Sequence, residues 1–131
     1  LLREVVATNP EAAEAGYSLG LLLAETGRID EAATFLARAA AGMPGNARAA
    51  YNAGLALAQA GRPAEAEAML RRAVAIEPAG YDLLFALADF LLRQGGPSRI
   101  DEVAALTDRM AAIDPSRPEA GQLQAVIGSI R

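Results

Sequence analysis

Residues 51–78, YNAGLALAQAGRPAEAEAMLRRAVAIEP, decide the fold, because their glycines, large apolar residues and closing proline recur earlier in the chain at one fixed spacing. Shifted back by 34 positions, Gly54, Leu57, Gly61, Ala66, Leu70, Ala73 and Pro78 fall on Gly20, Leu23, Gly27, Ala32, Leu36, Ala39 and Pro44. Alanine-rich composition makes some coincidences cheap, but two glycines and a proline matching at the same offset identify an internal repeat. A period of this length marks stacked supersecondary units, each unable to bury its apolar face alone.

Working outward, the three-four spacing of Leu19, Leu22 and Leu23, then of Ile29, Ala32, Ala33, Leu36 and Ala39, predicts one helix near 12–26 and another near 30–42. Thr26-Gly27-Arg28 breaks them apart. The same reading predicts helices near 47–60 and 63–76, with Asn46 as a cap and Pro63 in a first turn, where its missing N–H costs nothing. Gly27 and Gly61 stand where a first helix must end, and as glycines they tolerate a left-handed backbone there at little cost. Upstream, LLREVVATNP carries Leu2, Val5 and Pro10 in the register of Leu70, Ala73 and Pro78, so residues 1–10 read as the end of a truncated unit.

The third unit keeps the register at Leu84, Leu87, Ala88, Leu91 and Gly95, but Pro78 to Pro115 spans 37 residues instead of 34. The three extra residues fall at 95–99, GGPSR, which predicts a longer turn between helices, with Ser98 and Asp101 opening a helix near 100–113 as a capping box. Ser116 to Glu119 reads as a second capping box, followed by Leu123, Val126, Ile127 and Ile130 on one stripe able to cover the last hairpin. The organisation expected is a single domain over 1–131: a partial unit at 1–10, repeats at 11–44, 45–78 and 79–115, and a capping helix at 116–131.

Cysteine and histidine are absent, which excludes disulfide frameworks, thiolate nucleophiles, Cys/His zinc sites, Ser-His-Asp triads and haem-attachment motifs. All twelve basic residues are arginine, the longest basic run is Arg71-Arg72, and the net charge is −4, so no phosphate-binding surface and no nucleic-acid partner is expected. Arg71-Arg72 with Glu65 and Glu67 reads as a charged outer face. Asp82, Asp89 and Asp101 supply carboxylates for acid-base or metal chemistry, yet such spacing equally describes solvated helix charges, and no catalytic, cofactor or metal residue is assigned. Gly95-Gly96 lacks the Lys-Ser/Thr and the preceding strand of a phosphate loop. Apolar runs are too short for the roughly 20 residues of a membrane span. A leucine at position 1 is expected of a piece of a longer protein, so the compartment, cytoplasmic or periplasmic, stays open.

These residues resemble the tetratricopeptide repeat family, whose 34-residue unit carries small residues at its eighth and twentieth positions and a proline near its end. Those places are Gly20, Gly54 and Ala88, then Ala32, Ala66 and Val103, then Pro44, Pro78 and Pro115. The chain departs at the fourth position, with Gly16, Ala50 and Leu84 where the family often has a large aromatic; Tyr17, Tyr51 and Phe85 stand one place later. The resemblance implies an all-α, right-handed superhelical α-solenoid of antiparallel helix-turn-helix repeats, whose first helices line a concave groove for a peptide.

Carried over by register, the groove residues would be Tyr17, Leu21, Glu25, Arg48, Tyr51, Asn52, Leu55, Gln59, Phe85, Asp89 and Arg93. Tyr17, Tyr51 and Phe85 could form an aromatic ladder there or pack against the next repeat. The subclass that clamps a chaperone's C-terminal carboxylate is not matched, because Asn52 stands at one clamp place but Tyr17, Leu21, Asp82 and Ala86 hold the others. Residues 81–95 also resemble repeats behind multihaem cytochrome modules of some bacterial proteins, although no haem motif is present. The function expected is a non-enzymatic protein-interaction or scaffold module with a peptide or protein partner and no cofactor. The alternative is a regulatory or structural appendage of a larger enzyme or multihaem cytochrome. Leu1, Leu2 and Val5 would expose an apolar end and promote self-association.

Overall fold

The computed structural model describes residues 10–130. Seven α-helices account for nearly all of them: α1 Pro10–Glu25, α2 Ile29–Ala41, α3 Ala47–Gln59, α4 Pro63–Ile76, α5 Tyr81–Gln94, α6 Pro97–Ile113 and α7 Glu119–Ile130. No strand occurs among the described residues, so the fold is all-α. Leu1, Leu2 and Val5, to which the self-association expectation attaches, lie outside them. The chain divides into two compact units, one ending at Ile76 and one beginning at Glu77.

In the first unit α1 packs on α2, α2 on α3, and α3 on α4. Both hairpin turns are built identically. Gly27 takes φ +82° and Gly61 φ +75°. Around them Arg28 N–H donates to Leu23 O at 2.9 Å and Gly27 N–H to Ala24 O at 3.1 Å, while Arg62 N–H donates to Leu57 O at 2.9 Å and Gly61 N–H to Ala58 O at 3.2 Å. This paired closure satisfies the last carbonyls of α1 and α3 and needs a left-handed residue, which only glycine supplies without steric cost. Asn46 caps α3 as expected, its Oδ1 accepting from Ala49 N–H at 3.0 Å.

The repeat's small positions have a direct steric cause. A Cβ on Gly20 would lie 2.7 Å from Leu36 Cγ, and one on Gly54 would lie 2.8 Å from Leu70 Cγ. Leu36 and Leu70 are buried to 1 % exposure, so each leucine rests directly on the backbone of the facing helix. Leu23, Ala32, Ala33, Ala39, Leu57, Ala66 and Ala73 complete this core. Leu19 and Leu22, expected on the same stripe, are exposed by 42 % and 56 %.

In the second unit α5 packs on α6, and α7 on both. Its core is supplied by Leu84, Leu87, Leu91, Ile100, Val103, Leu106 and Met110. The three-residue insertion does not lengthen the turn. Only Gly95 and Gly96 separate α5 from α6, at φ +78° and +94°, and α6 runs for 17 residues where α2 and α4 have 13 and 14. The extra residues become the first turn of α6, which starts at Pro97 and not near 100. No side chain caps it, so the Ser98–Asp101 capping box does not form.

The second expected capping box is also replaced. Ser116 Oγ and N–H both donate to Asp114 Oδ1, at 2.6 and 3.1 Å, and Glu119 accepts from Arg117 Nε at 3.1 Å instead of reaching back to Ser116. Leu123 and Ile127 of α7 are buried with Ala120, whereas Val126 and Ile130 are exposed by 44 % and 56 %, so the covering stripe is narrower than the sequence pattern predicts.

Candidate functional site

Within the first unit the first helices α1 and α3 each bury one face and leave another open. On α3, Ala49, Ala50, Ala53, Gly54, Ala56 and Leu57 are buried, while Arg48 and Gln59 are exposed and Tyr51, Asn52 and Leu55 are half-buried. On α1, Ala13, Gly20 and Leu23 are buried, Tyr17 is half-buried, and Leu21 and Glu25 are exposed. The candidate residues are therefore those that helical geometry leaves over once the core positions have been taken.

Contacts bring some of these residues together. Asn52 Nδ2 donates to the Tyr17 hydroxyl, joining α1 to α3 across their open faces. The Arg48 guanidinium lies 5.0 Å from the centroid of the Tyr51 ring, a cation–π arrangement one helical turn long. Tyr17 and Tyr51 thus stand at equivalent repeat positions but have different partners, one an amide and the other a guanidinium.

In the second unit Phe85 and Asp89 are half-buried and Arg93 is exposed. Arg93 Nε donates to Asp89 Oδ2 at 2.9 Å, so these two expected contact residues neutralise each other. Asp82 is taken by Arg117, whose Nη2 donates to its Oδ1 at 3.0 Å. No group of three or more carboxylates able to hold a metal exists among the described residues, so Asp82, Asp89 and Asp101 form no cluster.

Two features were not anticipated from sequence. One is the lock at the start of α7: the Arg117 guanidinium lies 4.1 Å over the ring of buried Tyr81 and binds Asp82 and Glu119, while the Tyr81 hydroxyl accepts from Ala120 N–H at 3.2 Å. Burial lowers the basicity of Arg117, but its hydrogen bond to Asp82 and the charge of Glu119 outweigh that and raise it above the usual value. The available signal was Tyr81 itself, a large aromatic at the register of Ala13 and Ala47. The other is Val126 and Ile130, exposed apolar side chains of α7 that an offset of 34 and then 37 residues aligns in sequence with Leu55 and Gln59.

The remaining electrostatics serve the turns. Arg28 pairs with Glu31 at 2.7 Å and Arg62 with Glu65 at 2.8 Å, at equivalent places of the two repeats. The Glu65 hydrogen bond raises the Arg62 pKa, and Arg62 Nη1 also reaches Thr34 Oγ1 at 3.1 Å. Both pairs are solvent-exposed and contribute little stability. Hydrogen bonding from Ser116 holds the Asp114 carboxyl below its usual range. No helix among the described residues is long and apolar enough to cross a membrane.

Comparison with known proteins agrees with this architecture. One tetratricopeptide repeat family model matches residues 57–127 and a second matches residues 1–47. Among solved structures, the first TPR of Spaghetti (RPAP3), bound to the HSP90 peptide SRMEEVD, aligns with TM-score 0.80 at 18% identity over 94% of this chain and 95% of that one. The Arabidopsis OM64 TPR domain aligns with TM-score 0.79 at 18% identity, over 94% and 99%. YrrB, described as a TPR protein with an unusual peptide-binding site, aligns with TM-score 0.80 at 22% identity, over 93% of this chain and 61% of its own. No curated protein matches the sequence.

Proposed function

This chain belongs to the tetratricopeptide repeat family, and from that membership we propose that it is a protein-interaction module that binds a peptide or protein through the open faces of its first helices. The observation that carries the proposal is the fate of the large apolar side chains on those helices. Leu23 and Leu57 are consumed by the core, but Leu21 keeps 36 % of its surface exposed and Tyr17, Tyr51, Leu55 and Phe85 remain half-buried. Aromatic and leucine side chains on a rigid helical scaffold are effective anchors, because they offer large contact areas and lose little freedom on binding.

The partner this surface suits has two or three spaced apolar side chains. Affinity comes mainly from their burial, and scattered charges such as Glu25 and Arg48 set its direction. The HSP90 peptide bound to the Spaghetti domain and the peptide-binding site named for YrrB support a peptide as the partner. The proposal assigns the chain no catalytic step.

The test compares wild type with a Tyr51→Ala, Phe85→Ala double variant, its helicity checked by circular dichroism, in titrations with peptides selected from a random displayed library. Loss of binding by the variant is expected. Equal binding of every selected peptide to both proteins would remove the open faces as the site.

A further inference from the structure

The open face of the first unit carries a cation with no counter-ion. Two arginines lie on the first helices α3 and α5; Arg93 is neutralised by Asp89 at 2.9 Å, whereas Arg48 makes no ion pair among the described residues. Its guanidinium is exposed and lies over the Tyr51 ring. Stacking engages the flat face of a guanidinium and leaves its N–H donors unspent in the plane.

The neighbouring groups are of the same kind. Asn52 lies four residues beyond Arg48, one turn along the same face of α3. One of its amide hydrogens goes to Tyr17, and the other is available. The Tyr17 hydroxyl accepts that bond, so its own hydrogen is left to donate. Asn52 Oδ1 and the remaining lone pair of the Tyr17 oxygen are the acceptors left open among the three. Guanidinium, amide and phenol therefore present unspent donors and one positive charge on the surface proposed to bind the partner.

We propose that Arg48, with Asn52 and Tyr17 beside it, receives the carboxylate of an aspartate or glutamate side chain in the bound peptide. The proposal rests on the groove reading above and adds an acidic residue to the apolar anchors of the partner. One guanidinium matches one carboxylate and forms charge-assisted hydrogen bonds, which are stronger than neutral ones. A free chain terminus is not required, in keeping with the unmatched clamp places at Tyr17, Leu21, Asp82 and Ala86.

A random peptide library displayed on phage, panned against the wild-type chain, supplies the probes. Each selected peptide is synthesised with its acidic residue and with the corresponding amide, and both forms are titrated into wild type and into Arg48→Gln. Selected peptides are expected to carry an Asp or Glu whose replacement by Asn or Gln weakens binding to wild type by about tenfold or more. On Arg48→Gln the same replacement should change binding by less than about twofold. A selection dominated by acid-free peptides, or an equal effect of the replacement on both proteins, overturns the proposal. A Leu21→Ala, Leu55→Ala variant separates the two readings, since it removes apolar anchors and leaves Arg48, Asn52 and Tyr17 in place. If it loses binding while the acid proves irrelevant, only the carboxylate proposal fails; if it binds every peptide as wild type does, or if no peptide is selected, the groove reading fails and the proposal with it.

Discussion

Replacing Gly54 with alanine adds one methyl group where α3 lies on α4, and two opposing effects decide the result. Alanine is favoured over glycine inside a helix by about 1 kcal/mol. Against that, the new Cβ would meet Leu70 Cδ2 at 2.7 Å, Cγ at 2.8 Å and the backbone nitrogen at 3.3 Å. Leu70 is 1 % exposed, so its side chain has no free space to enter, and the nearby nitrogen means that relief requires α4 itself to move. Forcing one methyl into such a contact costs about 1–3 kcal/mol, so the packing penalty exceeds the propensity gain and the net change is a destabilisation of about 1 kcal/mol. Gly16 and Gly121 are helical glycines with nothing within 4 Å of an added Cβ. There the propensity gain stands alone, and alanine should stabilise by up to about 1 kcal/mol. Thermal melts of the three single variants test the difference in sign, each kilocalorie being worth a few degrees for a chain of this size. If Gly54→Ala melts at or above wild type, the contact with Leu70 is not tight and the register that places small residues at the helix crossing loses its physical basis.

Leu57 is fully buried at the equivalent place of Leu23, so Leu57→Ala should cost about 2–5 kcal/mol through lost burial and a residual cavity, measured by urea unfolding with an unchanged slope. Tyr81→Phe keeps the ring but removes the acceptor of the Ala120 N–H, leaving a buried donor in the first turn of α7; a loss of about 1–3 kcal/mol is expected, and an unchanged melting curve would refute the lock described for that helix. Because hydrogen bonds from Ser116 depress the Asp114 pKa, the stability it contributes is present above the usual carboxylate pKa and lost as pH falls through the depressed value. Carboxylate titration by NMR should place Asp114 below the unperturbed aspartate range in wild type and closer to it in Ser116→Ala; no movement between the two would contradict the assignment.

How much was legible depended on whether a residue's role is local or belongs to an exchange between elements. Gly27, Gly61, Asn46 and Pro63 act within one turn of chain, and the structure gives them the left-handed closures, cap and first turn that their types demand. The positions at 95–99 failed the same reading because two solutions satisfy an insertion of three residues. A longer loop leaves the helices alone, whereas adding nearly one helical turn keeps the following side chains close to their former directions. Two consecutive glycines with positive φ make the second solution possible, since they reverse the chain in two residues where the earlier turns use three. The expected capping box at Ser98 presupposed the first solution and fell with it.

The same distinction explains a compensation that the repeat alignment contains but does not announce. At the crossing where Gly20 meets Leu36 and Gly54 meets Leu70, the third repeat has Ala88 on its first helix and, after the insertion, Thr107 on its second. The Cβ that could not be accommodated opposite leucine appears together with a shorter side chain at the leucine position. Thr107 is fully buried and donates its hydroxyl hydrogen to Ala104 O at 2.8 Å, so the polar group introduced by the exchange is satisfied within its own helix. Read one position at a time, Gly to Ala and Leu to Thr are two departures from the pattern. Read as a pair at one crossing they keep its volume nearly constant, which is what a core at crystal-like density requires.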